Sequence, residues 1–158
     1  VLRRDYLPAE LEPQMRAAGF EGTIAVQAQT SVAETEWLLD LAEQHSFIRG
    51  VVGWVDLTDP KVGATLERLA RRRKLRAIRH VVQSEPDDRF LLRPEFIRGL
   101  ERLAPLRLAY DLLVVPRQLP AAAHAPAGTR GSSGRRISSC SATLGDTPAT
   151  CALLLSRR

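Results

Sequence analysis

The sequence predicts an α/β fold built from parallel βα units, an arc of a barrel with its helices. Three observations predict it. Candidate strands begin near Ile24, Val51, Ile78 and Leu108, at intervals of 27, 27 and 30 residues, a period that holds one strand, one loop and one crossover helix. The strands TIAVQA, GVVGWVDL, AIRHVVQ and RLAYDLLVV are apolar at most positions, as strands covered on both faces are. The third carries the adjacent Arg79 and His80 and then breaks into the acidic, proline-containing loop SEPDD at 84–88, which is how barrel strands present reactive side chains at their carboxyl ends. A complete eight-unit barrel takes roughly 250 residues, so the 158 residues of this chain accommodate only part of one. The opening at Val1 in place of methionine fits an incomplete or processed product.

Each helix carries boundary signals. The first starts with Pro8 at a favoured early position and ends at Gly19, with Leu11, Met15 and Ala18 on one face. Ser31 and Glu34 form a capping-box pattern before Trp37, Leu38, Leu41 and Ala42, whose spacing predicts the second buried stripe. Asp59 and Pro60 open a third helix that buries Val62, Leu66 and Leu69. Pro94 biases Arg93 away from helical conformation, and Phe96, Ile97, Leu100 and Leu103 follow as the fourth stripe.

After Pro120 the texture changes. Residues 121–158 contain no aromatic, no Lys and no Glu, and lack helical or strand periodicity. This reads as a low-complexity, disordered tail or as an out-of-frame translation, because 21 of the 23 basic residues are arginine, as a GC-rich coding sequence produces. The net charge of +5 belongs to this tail: residues 1–120 hold 18 basic against 17 acidic side chains. Both cysteines, Cys140 and Cys151, also fall there, and with no further ligands nearby they indicate neither a disulfide framework nor a zinc site. The cluster Arg71, Arg72, Arg73, Lys74 and Arg76 sits at a predicted helix C-terminus, where cations complement the dipole, and has no aromatic partners for nucleic acid. No glycine-rich phosphate loop, no apolar run of membrane-spanning length and no signal-peptide core occurs. A cytoplasmic chain with no nucleic-acid or membrane partner is expected.

The polar residues that interrupt the strands are the candidate site. Gln27 and Asp56 lie near the ends of their strands; His80 and Asp111 fall near the midpoints as drawn, and reach the carboxyl rim only if those strands are shorter. His80 can serve as a base or hydrogen-bond donor and Arg79 as a bidentate carboxylate clamp, or one of the two points outward to pair with a helix carboxylate. Asp111 can orient a substrate hydroxyl or form a buried ion pair with an arginine such as Arg79. Gln27 is either a substrate contact or a loop anchor, and Trp54 reads as core packing.

The blocks DYLPAEL, GTIAVQA, TEWLLDL, GVVGWVDL, IRHVVQSEPDD, FLLRPEFIRGL and YDLLVVPRQLP, in that order between about Arg3 and Pro120, resemble the amidohydrolase-related (amidohydrolase 2) family, which includes sugar lactonases and pyrone dicarboxylate lactonases. The resemblance implies roughly strands two to five of a (β/α)8 TIM barrel, and a hydrolase that opens a lactone or related carboxylic ester or amide with a water activated by a divalent metal or a carboxylate. It implies a small-molecule lactone or ester substrate, contacted here by His80, Arg79, Asp111 and Gln27. The chain departs from the family pattern in lacking the first-strand His-x-His pair, since its histidines are His45, His80 and His124, and in lacking the later strands with a further histidine and acidic base. An isolated chain without catalytic activity and without its own cofactor is therefore expected, with a divalent metal in full-length members. The alternative is a non-catalytic α/β module that binds a partner through the unclosed sheet; half a barrel is expected to self-associate through its uncovered strands, and a stable, soluble monomer would favour the module.

Overall fold

The computed structural model describes residues 7–125 and 151–152. Chain order is α1 (Pro8–Ala17), β1 (Thr23–Val26), α2 (Val32–Gln44), β2 (Ile48–Gly53), α3 (Val62–Ala70), β3 (Leu75–Ile78), α4 (Pro94–Glu101), β4 (Ala109–Tyr110), β5 (Leu113–Val114), α5 (Leu119–His124) and β6 (Cys151–Ala152). Strands β1 to β4 form one parallel sheet in sequential order, β1-β2-β3-β4. A parallel neighbour requires a crossover, and α2, α3 and α4 supply the three crossovers. The expected alternation of strand and helix is therefore the architecture of the sheet.

The helices pack through the faces their sequences mark, with two exceptions. Helix α3 buries Val62, Leu66 and Leu69, and α4 buries Phe96 and Leu100, with Leu103 just beyond its end. In α2 the buried face is Thr35, Leu38, Leu39 and Ala42, while Trp37 is 49% exposed. The stripe is rotated because a polar residue, Thr35, opens it and hides the period. In α1 only Pro8 and Met15 are buried and Leu11 is 46% exposed, so the predicted face is covered in part only. Gly19 ends it with φ +80°, a conformation that favours glycine. Ser31 caps α2 by accepting a bond from the Glu34 N–H at 3.1 Å, but the Glu34 carboxylate does not close the capping box. It turns instead to the loop N–H groups of Ala28 and Gln29 at 3.1 and 2.7 Å.

Outside the core, α3 is tied to α2 by Arg68 to Glu36 and by Arg72, which reaches Asp40 at 2.9 Å and Glu43 at 2.5 Å. Arg72 belongs to the basic run at the end of α3, so part of that run is engaged with α2, and its bond holds the Glu43 carboxyl below the usual range.

The strands are shorter than their apolar runs. β3 stops at Ile78 and β4 at Tyr110. The fourth run divides in two: Leu113–Val114 leaves the parallel sheet and pairs antiparallel with Cys151–Ala152. Helix α5 crosses the boundary drawn at Pro120 and continues to His124. Residues 126–150 and 153–158, with Cys140 and the five tail arginines, lie outside the described residues.

Thr35 fixes the end of β2. Its buried hydroxyl accepts from the Trp54 N–H at 2.8 Å and donates to the Trp54 carbonyl at 2.9 Å, and its methyl fills the space a Cβ on Gly53 would need. Replacing Thr35→Val leaves a buried N–H and C=O unpaired. Urea unfolding should show a loss of about 1–3 kcal/mol, whereas Thr35→Ser, which keeps the hydroxyl, should lose clearly less.

Candidate active site

Because the strands end early, Gln27, His80 and Asp111 stand at carboxyl termini, while Asp56 falls in the loop beyond β2. Gln27 follows β1, Trp54 follows β2, Arg79 and His80 follow β3, and Asp111 follows β4. Three of them are the final rungs of the ladder. The N–H of Gln27 donates to the Val52 carbonyl at 2.9 Å, that of Arg79 to Gly53 at 2.8 Å, and that of Asp111 to Ile78 at 2.9 Å. Backbone pairing alone thus sets their relative positions at one end of the sheet.

Arg79 and Asp111, on neighbouring strands, form a buried ion pair. Arg79 donates from Nε at 2.8 Å and Nη2 at 2.5 Å, both to Oδ2 of Asp111, with side-chain exposures of 12% and 4%. The guanidinium that could have clamped a substrate carboxylate is therefore occupied by Asp111, the buried ion pair named as the alternative role of Asp111; Arg79 does not turn outward to a helix carboxylate. The second carboxylate oxygen, Oδ1, is buried and has no partner among the described residues.

His80 is buried in an aromatic cage: it stacks on Phe90 (4.8 Å, 17°), meets the edge of Phe96 (5.5 Å, 75°) and lies 6.4 Å from the Trp54 ring. Its Nε2 is 2.8 Å from Glu85 Oε1, while Nδ1 has no partner among the described residues. The Tyr110 hydroxyl donates to the His80 carbonyl at 3.4 Å, and burial pushes its pKa up, so it remains a donor. Gln27 Nε2 and Trp54 Nε1 are also buried without partners among the described residues. Each of the four parallel strands therefore delivers one buried, unpaired polar atom at its carboxyl end. Asp56 instead accepts from its own loop, from the Thr58 N–H at 2.9 Å and the Thr58 hydroxyl at 2.6 Å.

The loop after β3 closes over His80 and is held by contacts that sequence reading missed. Gln118, fully buried, donates to the Val82 carbonyl at 2.8 Å and accepts from the Val115 N–H at 3.2 Å. Asp87 accepts from the Arg89 N–H and from Arg93 Nε, both at 2.9 Å, and Asp88 pairs with Arg117. Arg93 lies over the Phe90 ring at 4.9 Å. Among the described residues no group of three or more His, Cys, Asp and Glu could hold a metal ion.

A parallel α/β arc with buried polar groups gathered at the carboxyl ends of its strands defines a chain of the (β/α)-barrel class. The chain belongs to the amidohydrolase family, whose sequence profile matches residues 1–129. It is 39% identical over 118 residues to an L-fucono-1,5-lactonase of Burkholderia ambifaria and 46% identical over 123 residues to one of Burkholderia multivorans, covering 75% and 76% of this chain and 41% and 40% of theirs. A crystal structure of an amidohydrolase from Burkholderia multivorans with bound zinc superposes with a TM-score of 0.69 at 44% identity, over 77% of this chain and 43% of that one. The chain thus spans about two fifths of the length of the curated relatives it matches.

Two outcomes follow from the pairings. Asp111→Ala strands the Arg79 charge in the interior and should cost about 3–5 kcal/mol by urea unfolding, and the double change Arg79→Met with Asp111→Leu should recover most of it. Hydrogen bonds hold the Asp87 carboxyl below its ordinary value of 3.8, the Arg89 N–H contributing most and Arg93 next. The folded state therefore favours the carboxylate. That contribution is complete above the ordinary value and is lost as pH falls through the lowered one, so the Arg89 amide should lose exchange protection only in acid.

Proposed function

We propose that this chain is the portion of a lactone hydrolase that forms one side of the substrate site, and that the substrate is a neutral, hydroxyl-rich lactone of the kind named for its fuconolactonase relatives. The observation that carries this reading is the row of buried atoms without a partner among the described residues, Gln27 Nε2, Trp54 Nε1, His80 Nδ1 and Asp111 Oδ1, one after each parallel strand. An amide N–H and an indole N–H can only donate, and an ionised carboxylate can only accept. Such a mixed set matches sugar hydroxyls and ring or carbonyl oxygens. Leaving these atoms buried and unpaired costs stability, a cost expected at a binding site and unusual elsewhere.

The pairing of Arg79 with Asp111 argues against a carboxylate-bearing substrate, because the only positive charge at the rim among these residues is already matched. In this reading Gln27, His80 and Asp111 touch substrate and Arg79 acts by holding Asp111. The zinc in the solved relative marks a divalent metal as a candidate cofactor of the whole enzyme. A catalytic zinc site takes three protein ligands, and the described residues do not provide such a set. In this reading its principal ligands come from strands outside 7–125, and this chain on its own is inactive.

The test uses aldonolactones with two proteins. A chimaera of the Burkholderia multivorans lactonase carrying residues 7–125 of this chain in place of its own arc should hydrolyse L-fucono-1,5-lactone, and the same chimaera with His80→Ala should lose at least about tenfold in rate. The 158-residue chain alone should show no turnover. A folded chimaera without activity would overturn the assignment, and rapid hydrolysis by the short chain would overturn its inactivity.

A further inference from the structure

We propose that Glu85 is a positioning residue that holds the His80 imidazole in its Nε2–H tautomer, leaving Nδ1 as the acceptor offered to a ligand hydroxyl. The proposal deepens the lactone-site reading and rests on it only for the identity of the ligand. Its basis is the unequal treatment of the two ring nitrogens. Nε2 lies 2.8 Å from the Glu85 carboxylate, and Nδ1 is buried without a partner among the described residues. A neutral imidazole has one N–H and one lone pair, and the nitrogen beside a carboxylate keeps the proton, because a carboxylate accepts and cannot donate.

The surroundings keep the ring in place and leave the choice of tautomer to Glu85. Phe90 stacks on one face and Phe96 meets the ring edge-on, so rotation about the ring axis is sterically opposed, yet neither aromatic distinguishes Nδ1 from Nε2 by hydrogen bonding. The His80 main chain is fixed separately: its carbonyl accepts from the Val82 N–H at 2.9 Å and from the buried Tyr110 hydroxyl. Glu85 itself stands in the turn that follows Val82–Ser84, where its N–H donates to the Val82 carbonyl at 2.9 Å. The same carbonyl accepts from buried Gln118. The carboxylate is therefore carried on a stretch of backbone pinned to the core, as a positioning group requires.

The experiment is two-bond ¹H–¹⁵N correlation NMR of the histidine ring nitrogens in the full 158-residue chain. His45→Asn and His124→Asn variants assign the His80 signals. The expected spectrum shows a protonated Nε2 and a bare Nδ1, with at least about a tenfold preference over the other tautomer, since a hydrogen bond to a charged group exceeds that ratio in strength. Glu85→Ala should erase this preference, Glu85→Asp should restore part of it, and Glu43→Ala, which removes a distant surface carboxylate, should leave it unchanged. A protonated Nδ1 in the parent chain, or an unaltered tautomer in a folded Glu85→Ala variant, would overturn the proposal. Where Glu85→Ala fails to fold, the parent spectrum alone decides. Adding D-glucono-1,5-lactone should move the Nδ1 resonance. If the tautomer is as expected and the resonance does not respond to lactone, the ligand assignment fails and the positioning role stands.

Discussion

The parallel ladder is the constraint on which the rest of this structure depends. Strands that run the same way must all finish on the same side, and in β1, β3 and β4 the last hydrogen-bonded residue is itself a polar one: Gln27, Arg79 and Asp111. Their spacing is therefore a property of the backbone and needs no side-chain contact to set it. The helices serve that arrangement. Helix α2 reaches through Thr35 to hold the end of β2, and the apolar faces of α3 and α4 meet the sheet in a single core that includes Val51, Leu66, Ile78 and Phe96.

What the ladder positions is expensive to keep. An ion pair at the depth of Arg79 and Asp111 repays its desolvation only with good geometry, and here both guanidinium bonds fall on one oxygen while the other goes without. A sequence selected for stability alone would have closed that gap with an apolar pair. The same reasoning applies to the histidine caged by Phe90 and Phe96, whose Nδ1 is buried without a partner among the described residues. Polar atoms retained under these conditions point to chemistry at that end of the sheet.

Much of this was legible in the residues. The strand interval, the capping serine, Pro8 and Pro94 at helix starts and the stripes of α3 and α4 describe the sheet and its crossovers, whereas α3 opens at Val62, after Pro60. Resemblance of the seven sequence blocks supplied the family. Other features lay beyond periodicity. Thr35 sits on the buried face of α2 for its two bonds to Trp54, so an apolar count rotates the stripe toward Trp37. The third and fourth strands look long because apolar residues continue past their ends: Val82 packs under the loop, and Leu113 and Val114 pair elsewhere. Glu85 and Gln118 carried no motif. A carboxylate five residues beyond a strand-end histidine was the available signal for Glu85, and only the fold of the loop gives it meaning.

Two of the sets of paired charges stand in different solvents. Arg68 and Arg72 hold α3 against α2 on the outside, with most of their partners well exposed, whereas Arg79 and Asp111 are enclosed. At 1 M ionic strength the Debye length contracts to about 3 Å, which weakens the outer clasp and scarcely reaches the inner pair. Concentrated salt thus loosens the shell of helices first, while the rim of the sheet keeps its electrostatic order.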